Sequence, residues 1–186
     1  MVLPTVQRVY VVSDLHTDQP DNLDAVRAFE AQHDCALIVA GDVSESIEKL
    51  TETMELLLER FKLVCFVVGN HDVWVDRERR SAGVTSCDKF KEVTDACARL
   101  GVYTNPVEVC CQGKGLWLVP INGWYDASLA RDIVGEEPAE ALHARWMDNT
   151  MCVHHRHASV EKRKRRKRRE EKRCTLYDTR GCDAEP

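Results

Sequence analysis

Three short apolar runs in the first half of the chain each stop abruptly at polar, metal-competent residues, and a helical pattern follows the first two stops and, after a charged connection, the third. Val6 to Val12 ends in Ser13-Asp14-Leu15-His16, Ala36 to Ala40 ends in Gly41-Asp42, and Leu63 to Val68 ends in Gly69-Asn70-His71-Asp72. A run apolar on both faces suits a strand buried between layers, and strands alternating with helices suit parallel βα units. The expected fold class is α/β, a β-sheet with flanking helices, with its chemistry at the C-terminal ends of the strands.

The connecting segments fill in that frame. Asn22 is expected to cap a helix carrying Leu23, Val26 and Phe29. Ser44 or Ser46 opens a second, with Ile47, Leu50, Met54, Leu57, Leu58 and Phe61 on one face. Asp76 to Arg80 reads as a charged connection, and Ser86 to Leu100 as a helix with Phe90, Val93, Cys97 and Leu100 inward and Gly101 as its stop. Val107 to Cys111 and Leu116 to Ile121 read as a hairpin around Gln112-Gly113-Lys114-Gly115. Beyond Asp126 the pattern weakens: Pro138 to Met147 reads as a helix, and nothing after it resembles a strand.

At 186 residues the chain suits one domain. No stretch approaches the ~18 continuous apolar residues of a membrane span, and the start lacks a basic segment followed by a long apolar one, so neither a membrane partner nor a secretory signal is expected. Nine cysteines, two of them adjacent and none in a Cys-x-x-Cys, encode no disulfide framework or zinc ribbon; a reducing, intracellular and cytoplasmic setting fits them. Lys162 to Arg173 holds ten basic and two acidic residues in a chain of net charge −5, so the remainder carries −13. The expected division is a domain over 1–150 and a polar, highly basic tail over 151–186, disordered or helical. The basic run reads as a nuclear localisation signal or a contact to nucleic-acid phosphates, or else as a solvated tail. The absence of interleaved aromatic residues to stack on bases favours the solvated tail.

If the three strands are parallel neighbours, Asp14, His16, Asp42, Asn70 and His71 converge on one edge. Side chains at i and i+2 on an extended strand end point the same way, so Asp14 and His16 can grip one ion together. The two oxygens of Asp42 can bridge two cations, and the amide oxygen of Asn70 adds a ligand without further negative charge. Mixed carboxylate and imidazole donors suit manganese, iron or zinc better than calcium. Gly41 and Gly69 let the backbone turn sharply beside such ions. Singly, each piece has a structural reading too: Asp-x-His is commonplace, Gly-Asp is often a turn, and Asn-His-Asp can start a helix. Their order and their placement at strand ends argue for a metal site.

Asp14-Leu15-His16, Gly41-Asp42 and Gly69-Asn70-His71-Asp72 resemble the successive motifs of the calcineurin-like metallophosphoesterase superfamily over about the first 150 residues. The flanks resemble uncharacterised phosphoesterases of plants and algae more than Ser/Thr protein phosphatases, which show Asp-Arg-Gly where this chain has Val43-Ser44-Glu45-Ser46. The resemblance implies a four-layer αββα sandwich and a binuclear site of divalent manganese, iron or zinc. Asp14 and His16 would bind the first metal, Asp42 would bridge both and Asn70 would bind the second. His71 would stand beside the scissile phosphate as a proton donor. The substrate implied is a phosphate ester, hydrolysed as a monoester or diester. The family's later histidines, including a Gly-His-x-His, have no match: His143, His154, His155 and His157 lack its glycine and its strand. The second sheet is expected to come from that same missing region, so the fold is read as incomplete. The chain is accordingly read as a truncated form diverging after Trp146, either an enzyme or an inactive binding module.

Overall fold

The polar pair Gln7-Arg8 interrupts the first apolar run, and the strand breaks there. Thr5–Val6 (β1) and Val9–Val12 (β2) are separate strands that enter different sheets, a correction to the single strand expected over Val6 to Val12. The computed structural model describes residues 3–123 and 145–153, all within the unit Met1–Val153. The basic run, His143, His154, His155, His157 and residues 138–144 of the expected late helix lie outside the described residues.

β2 pairs in parallel with Gln32–Ala40 (β3), which pairs in parallel with Phe61–Val67 (β4); Val9 stands opposite Ala36, and Ala36 opposite Leu63. Between them lie Pro20–Arg27 (α1) and Ile47–Leu58 (α2), giving the parallel βα order read from the sequence. Helix α1 starts two residues before Asn22, because Pro20 occupies the first turn, where its missing N–H has no intrahelical acceptor in any case. The Asn22 amide instead donates to the His16 carbonyl at 3.2 Å. Ser46 caps α2, its Oγ accepting from the Lys49 N–H at 3.3 Å, and Phe61 belongs to β4 rather than to the α2 stripe. The expected charged connection contains a short helix, Arg77–Ser81 (α3), capped by Asp76, which accepts from the Arg79 N–H. Ser86–Leu100 (α4) forms as expected, entered through a reciprocal Thr85 and Asp88 cap and closed by Gly101 at φ +85°.

The second sheet has the order β1-β5-β6, built from Val107–Cys111 (β5) and Lys114–Leu118 (β6). The hairpin turn is only Gln112-Gly113, both at positive φ, as a two-residue turn between twisted strands requires. Strand β6 therefore begins at Lys114 rather than Leu116.

Alternation along the central strands sends side chains to two cores. Leu37, Val39, Val64 and Phe66 face Val26 of α1, Leu50, Met54 and Leu57 of α2, and Val93 and Cys97 of α4. Ala36, Leu63 and Cys65 face Val6, Val109 and Leu118 of the other sheet. The layers are helices, sheet and second sheet. That corrects the expectation that the second sheet must come from the C-terminal region: β1, β5 and β6 supply a cover from residues already in the first two thirds. A single 3-10 turn, His71–Val73, follows β4, and a four-residue helix, Asp148–Met151 (α5), completes the described elements. No helix among the described residues is long and apolar enough to cross a membrane.

Candidate metal centre

With β3 between β2 and β4, the three strand ends bring their loops together on one edge. The loop after β2 lies along the loop after β3: Asp14 N–H donates to the Gly41 carbonyl (3.1 Å), His16 N–H to that of Asp42 (3.0 Å) and Thr17 N–H to that of Val43 (2.8 Å). Asp14 and His16 have φ of +54° and +41°, so the extended geometry expected to aim them together is not what places them. A left-handed turn does so instead, held by the neighbouring loop and by the buried Thr17 hydroxyl, 2.8 Å from that of Thr53 on α2. The Asp14 carboxylate is two-thirds exposed, with Oδ1 3.9 Å from His16 Nε2.

The loops after β3 and β4 are fixed by a residue that sequence reasoning quoted without giving it a role. Asp72 is fully buried, and its carboxylate accepts four backbone N–H groups: Val43 (2.8 Å) and Ser44 (3.0 Å) on Oδ1, Asp42 (3.0 Å) and Gly69 (2.8 Å) on Oδ2. Burial pushes its pKa up, opposed by the Ser44, Gly69 and Val43 N–H groups. Gly69 is required by close approach: a Cβ there would stand 2.2 Å from Asp42 Oδ1 and 2.4 Å from the Asp42 nitrogen. His71 N–H donates to Asp42 Oδ1 at 3.0 Å, locking the β3 carboxylate to the β4 loop.

The side chains of His16, Asp42 and His71 converge, with one possible ligand atom from each lying within 4.8 Å of the others. Donors sharing one ion at bond lengths of about 2.0–2.2 Å stand roughly 3–3.6 Å apart, so these side chains would close in further around a bound ion. The donor set, two imidazoles and a carboxylate, is one that divalent transition metals favour. The His71 ring stands 4.7 Å from that of His16, and 3.6 Å from that of Trp74 at a 30° tilt. His71 Nδ1 is buried without a hydrogen-bond partner; Glu45 Oε1 is 3.5 Å away. Asn70 lies in the same turn, and its Nδ2 donates to Asp148 Oδ1 at 2.9 Å. Thus the five residues read from the sequence sit on one edge; His16, Asp42 and His71 cluster tightly, Asp14 borders His16 and Asn70 is tied to α5.

Residues behind the cluster escaped the sequence reading. Lys89 of α4 is buried, and its ammonium donates to the carbonyls of Glu45 (2.5 Å) and Trp74, holding the two residues that flank His71. Burial pulls its pKa down. Asp18 accepts from Ser44 Oγ (2.7 Å) and the Glu45 N–H (3.0 Å). A lysine three residues after a helix start and an aspartate in a loop carry no local signature of such roles.

The profile of one protein family, described as calcineurin-like phosphoesterase, matches residues 7–179. The chain belongs to the calcineurin-like phosphoesterase family. The match runs beyond the 150 residues over which the resemblance was read. The chain is 31% identical over 124 residues to an [acyl-carrier-protein] phosphodiesterase, PptH, of Mycobacterium tuberculosis, an alignment covering 64% of this chain and 38% of that protein. The crystal structure of the phosphopantetheinyl hydrolase PptH from Mycobacterium tuberculosis matches with a TM-score of 0.67 at 22% identity, over 84% of this chain and 58% of that one. This calcineurin-like phosphoesterase therefore shares that fold and spans well under two thirds of the curated relative's length.

Proposed function

We propose that the chain is a metal-dependent phosphoesterase with a binuclear centre at the C-terminal edge of β2, β3 and β4. The observation carrying this reading is the convergence of His16, Asp42 and His71 from three neighbouring strand ends, which sets two metal-competent side chains beside an imidazole free to act on a substrate. Asp14 and His16 would hold one divalent ion and Asn70 a second, with Asp42 between them serving both. Manganese, iron and zinc fit these donors. Such ions supply Lewis acidity toward the phosphoryl group and a nucleophilic water at neutral pH.

The protein's own groups do the rest. His71, fixed by its N–H on Asp42 and by the face of Trp74, donates a proton to the departing oxygen of a phosphate seated on the cluster. Glu45 Oε1 lies 3.5 Å from the other ring nitrogen, Nδ1. Asp72 keeps the Asp42 and His71 loops at fixed separation, so little reorganisation is needed when substrate binds. The substrate class is a phosphodiester. The relative's name makes a phosphopantetheinylated carrier protein the first natural substrate to test.

The test is turnover of a chromogenic phosphodiester by the purified chain with manganese, beside Asp42→Asn and His71→Ala. Turnover abolished in the first and reduced about 10²–10⁴-fold in the second supports the reading. A folded, manganese-loaded chain without turnover sinks it and leaves a binding module.

A further inference from the structure

Asp148 lies 78 residues from Asn70 in sequence and about as far from any recognisable motif, yet its carboxylate gathers three side-chain N–H donors. Oδ1 accepts from Asn70 Nδ2 (2.9 Å) and Trp74 Nε1 (2.5 Å), and Oδ2 from Trp146 Nε1 (2.8 Å). Its segment is anchored independently. Val75 N–H donates to the Met151 carbonyl (3.0 Å) and Ser86 N–H to that of Val153 (2.8 Å); Val153 N–H donates back to Ser86 Oγ (2.9 Å). Arg80 Nη2 adds a contact to the Met151 carbonyl (3.3 Å). The carboxylate is thus delivered to Asn70 by a docked piece of chain.

The chemistry of the pair fixes an orientation. An ionised carboxylate only accepts, whereas an amide has one donating and one accepting end. With Nδ2 committed to Asp148, reversing the Asn70 amide would set oxygen against oxygen. The carbonyl oxygen must therefore face away from Asp148, and it is the only atom of this side chain that can ligate a cation. The second acceptance, from Trp74, fixes the indole whose face lies against His71.

We propose that Asp148 is a positioning residue of the metal centre, holding the Asn70 amide with its oxygen presented to a divalent cation and Trp74 against His71. This inference rests on the reading of Asn70 as a ligand given above. Outer carboxylates of this kind typically alter metal affinity 10- to 100-fold when removed.

The experiment measures manganese affinity of the full chain from the free-ion electron paramagnetic resonance signal, with folding followed by circular dichroism. Asp148→Ala and Asn70→Ala each weaken binding about tenfold or more, and the double variant binds no more weakly than Asn70→Ala alone, since Asp148 acts through Asn70. Trp146→Phe, which removes another donor from the same carboxylate, leaves affinity unchanged. Should the alanine variant not fold, Asp148→Asn keeps the shape without the charge and weakens binding in the same direction. Wild-type affinity in a folded Asp148 variant, multiplying losses in the double variant, or a Trp146→Phe loss equal to that of Asp148→Ala overturns the proposal. Each of those leaves the phosphoesterase reading intact. A wild-type chain that binds no manganese overturns both.

Discussion

Replacing Asp72 by asparagine changes one oxygen for an NH₂ group and little else, and the structure sets how much that should matter. Each carboxylate oxygen accepts two backbone N–H groups, Val43 and Ser44 on one side and Asp42 and Gly69 on the other. Whichever way the new amide turns, two buried donors face a donor. An orphaned buried N–H destabilises by ~1–3 kcal/mol, so the substitution should remove about 2–6 kcal/mol of folding stability. For a chain of this size that lowers Tm by roughly 2–4 °C per kcal/mol, a drop of about 4–24 °C. Urea unfolding followed by far-ultraviolet circular dichroism reads the loss directly. Because both loops end in site residues, manganese affinity should fall as well, even in protein that remains folded. A folded Asp72→Asn chain within ~1 kcal/mol of wild type would refute the argument that this carboxylate ties the two loops together.

Four further outcomes follow from the same geometry. Gly69→Ala puts a Cβ against the Asp42 nitrogen and carboxylate, so it should abolish manganese binding and lower the thermal midpoint, both readable by calorimetry. Manganese at 100 times its dissociation constant should stabilise the wild-type chain by about 2.7 kcal/mol, an increment lost with EDTA and in His16→Ala. Burial pushes the Cys65 thiol up to about 11 and the Cys97 thiol up to about 12. Unfolded thiols ionise near ~8.5, so between that pH and 11 the folded state holds protons that the unfolded state has lost. Stability should fall with rising pH there, by at most ~1.4 kcal/mol per unit for each thiol, and the slope should flatten in a Cys65→Ala, Cys97→Ala chain. Lys89→Met leaves the Glu45 and Trp74 carbonyls without their ammonium donor, and should destabilise by about 1–3 kcal/mol per orphaned carbonyl in denaturant titration.

What was legible in the sequence is what local chemistry controls. A buried parallel strand has to be apolar on both faces, so β3 and β4 announce themselves, and the residues after them fall at the strand ends by necessity. Gly101 marks the end of α4 because left-handed geometry is decided within a few residues. The break between β1 and β2 at Gln7-Arg8 was not legible, because its consequence, two sheets from one apolar run, depends on β5 a hundred residues later. The candidate site divides along the same line. Asp14, His16, Asp42, Asn70 and His71 sit where strand ends put them, but what orients them is non-local. Asp14 and His16 take positive φ because the β3 loop holds their backbone; Asp42 and Gly69 are joined through Asp72; His71 is flanked by Glu45 and Trp74, both carbonyls held by Lys89. Ligand identity requires only a residue type at a strand end, whereas ligand orientation requires a partner whose distance along the chain is unconstrained. The positions of the candidate ligands can therefore be read from one sequence, and the groups that aim them, Asp72, Lys89 and Asp148, emerge only when the loops are seen side by side.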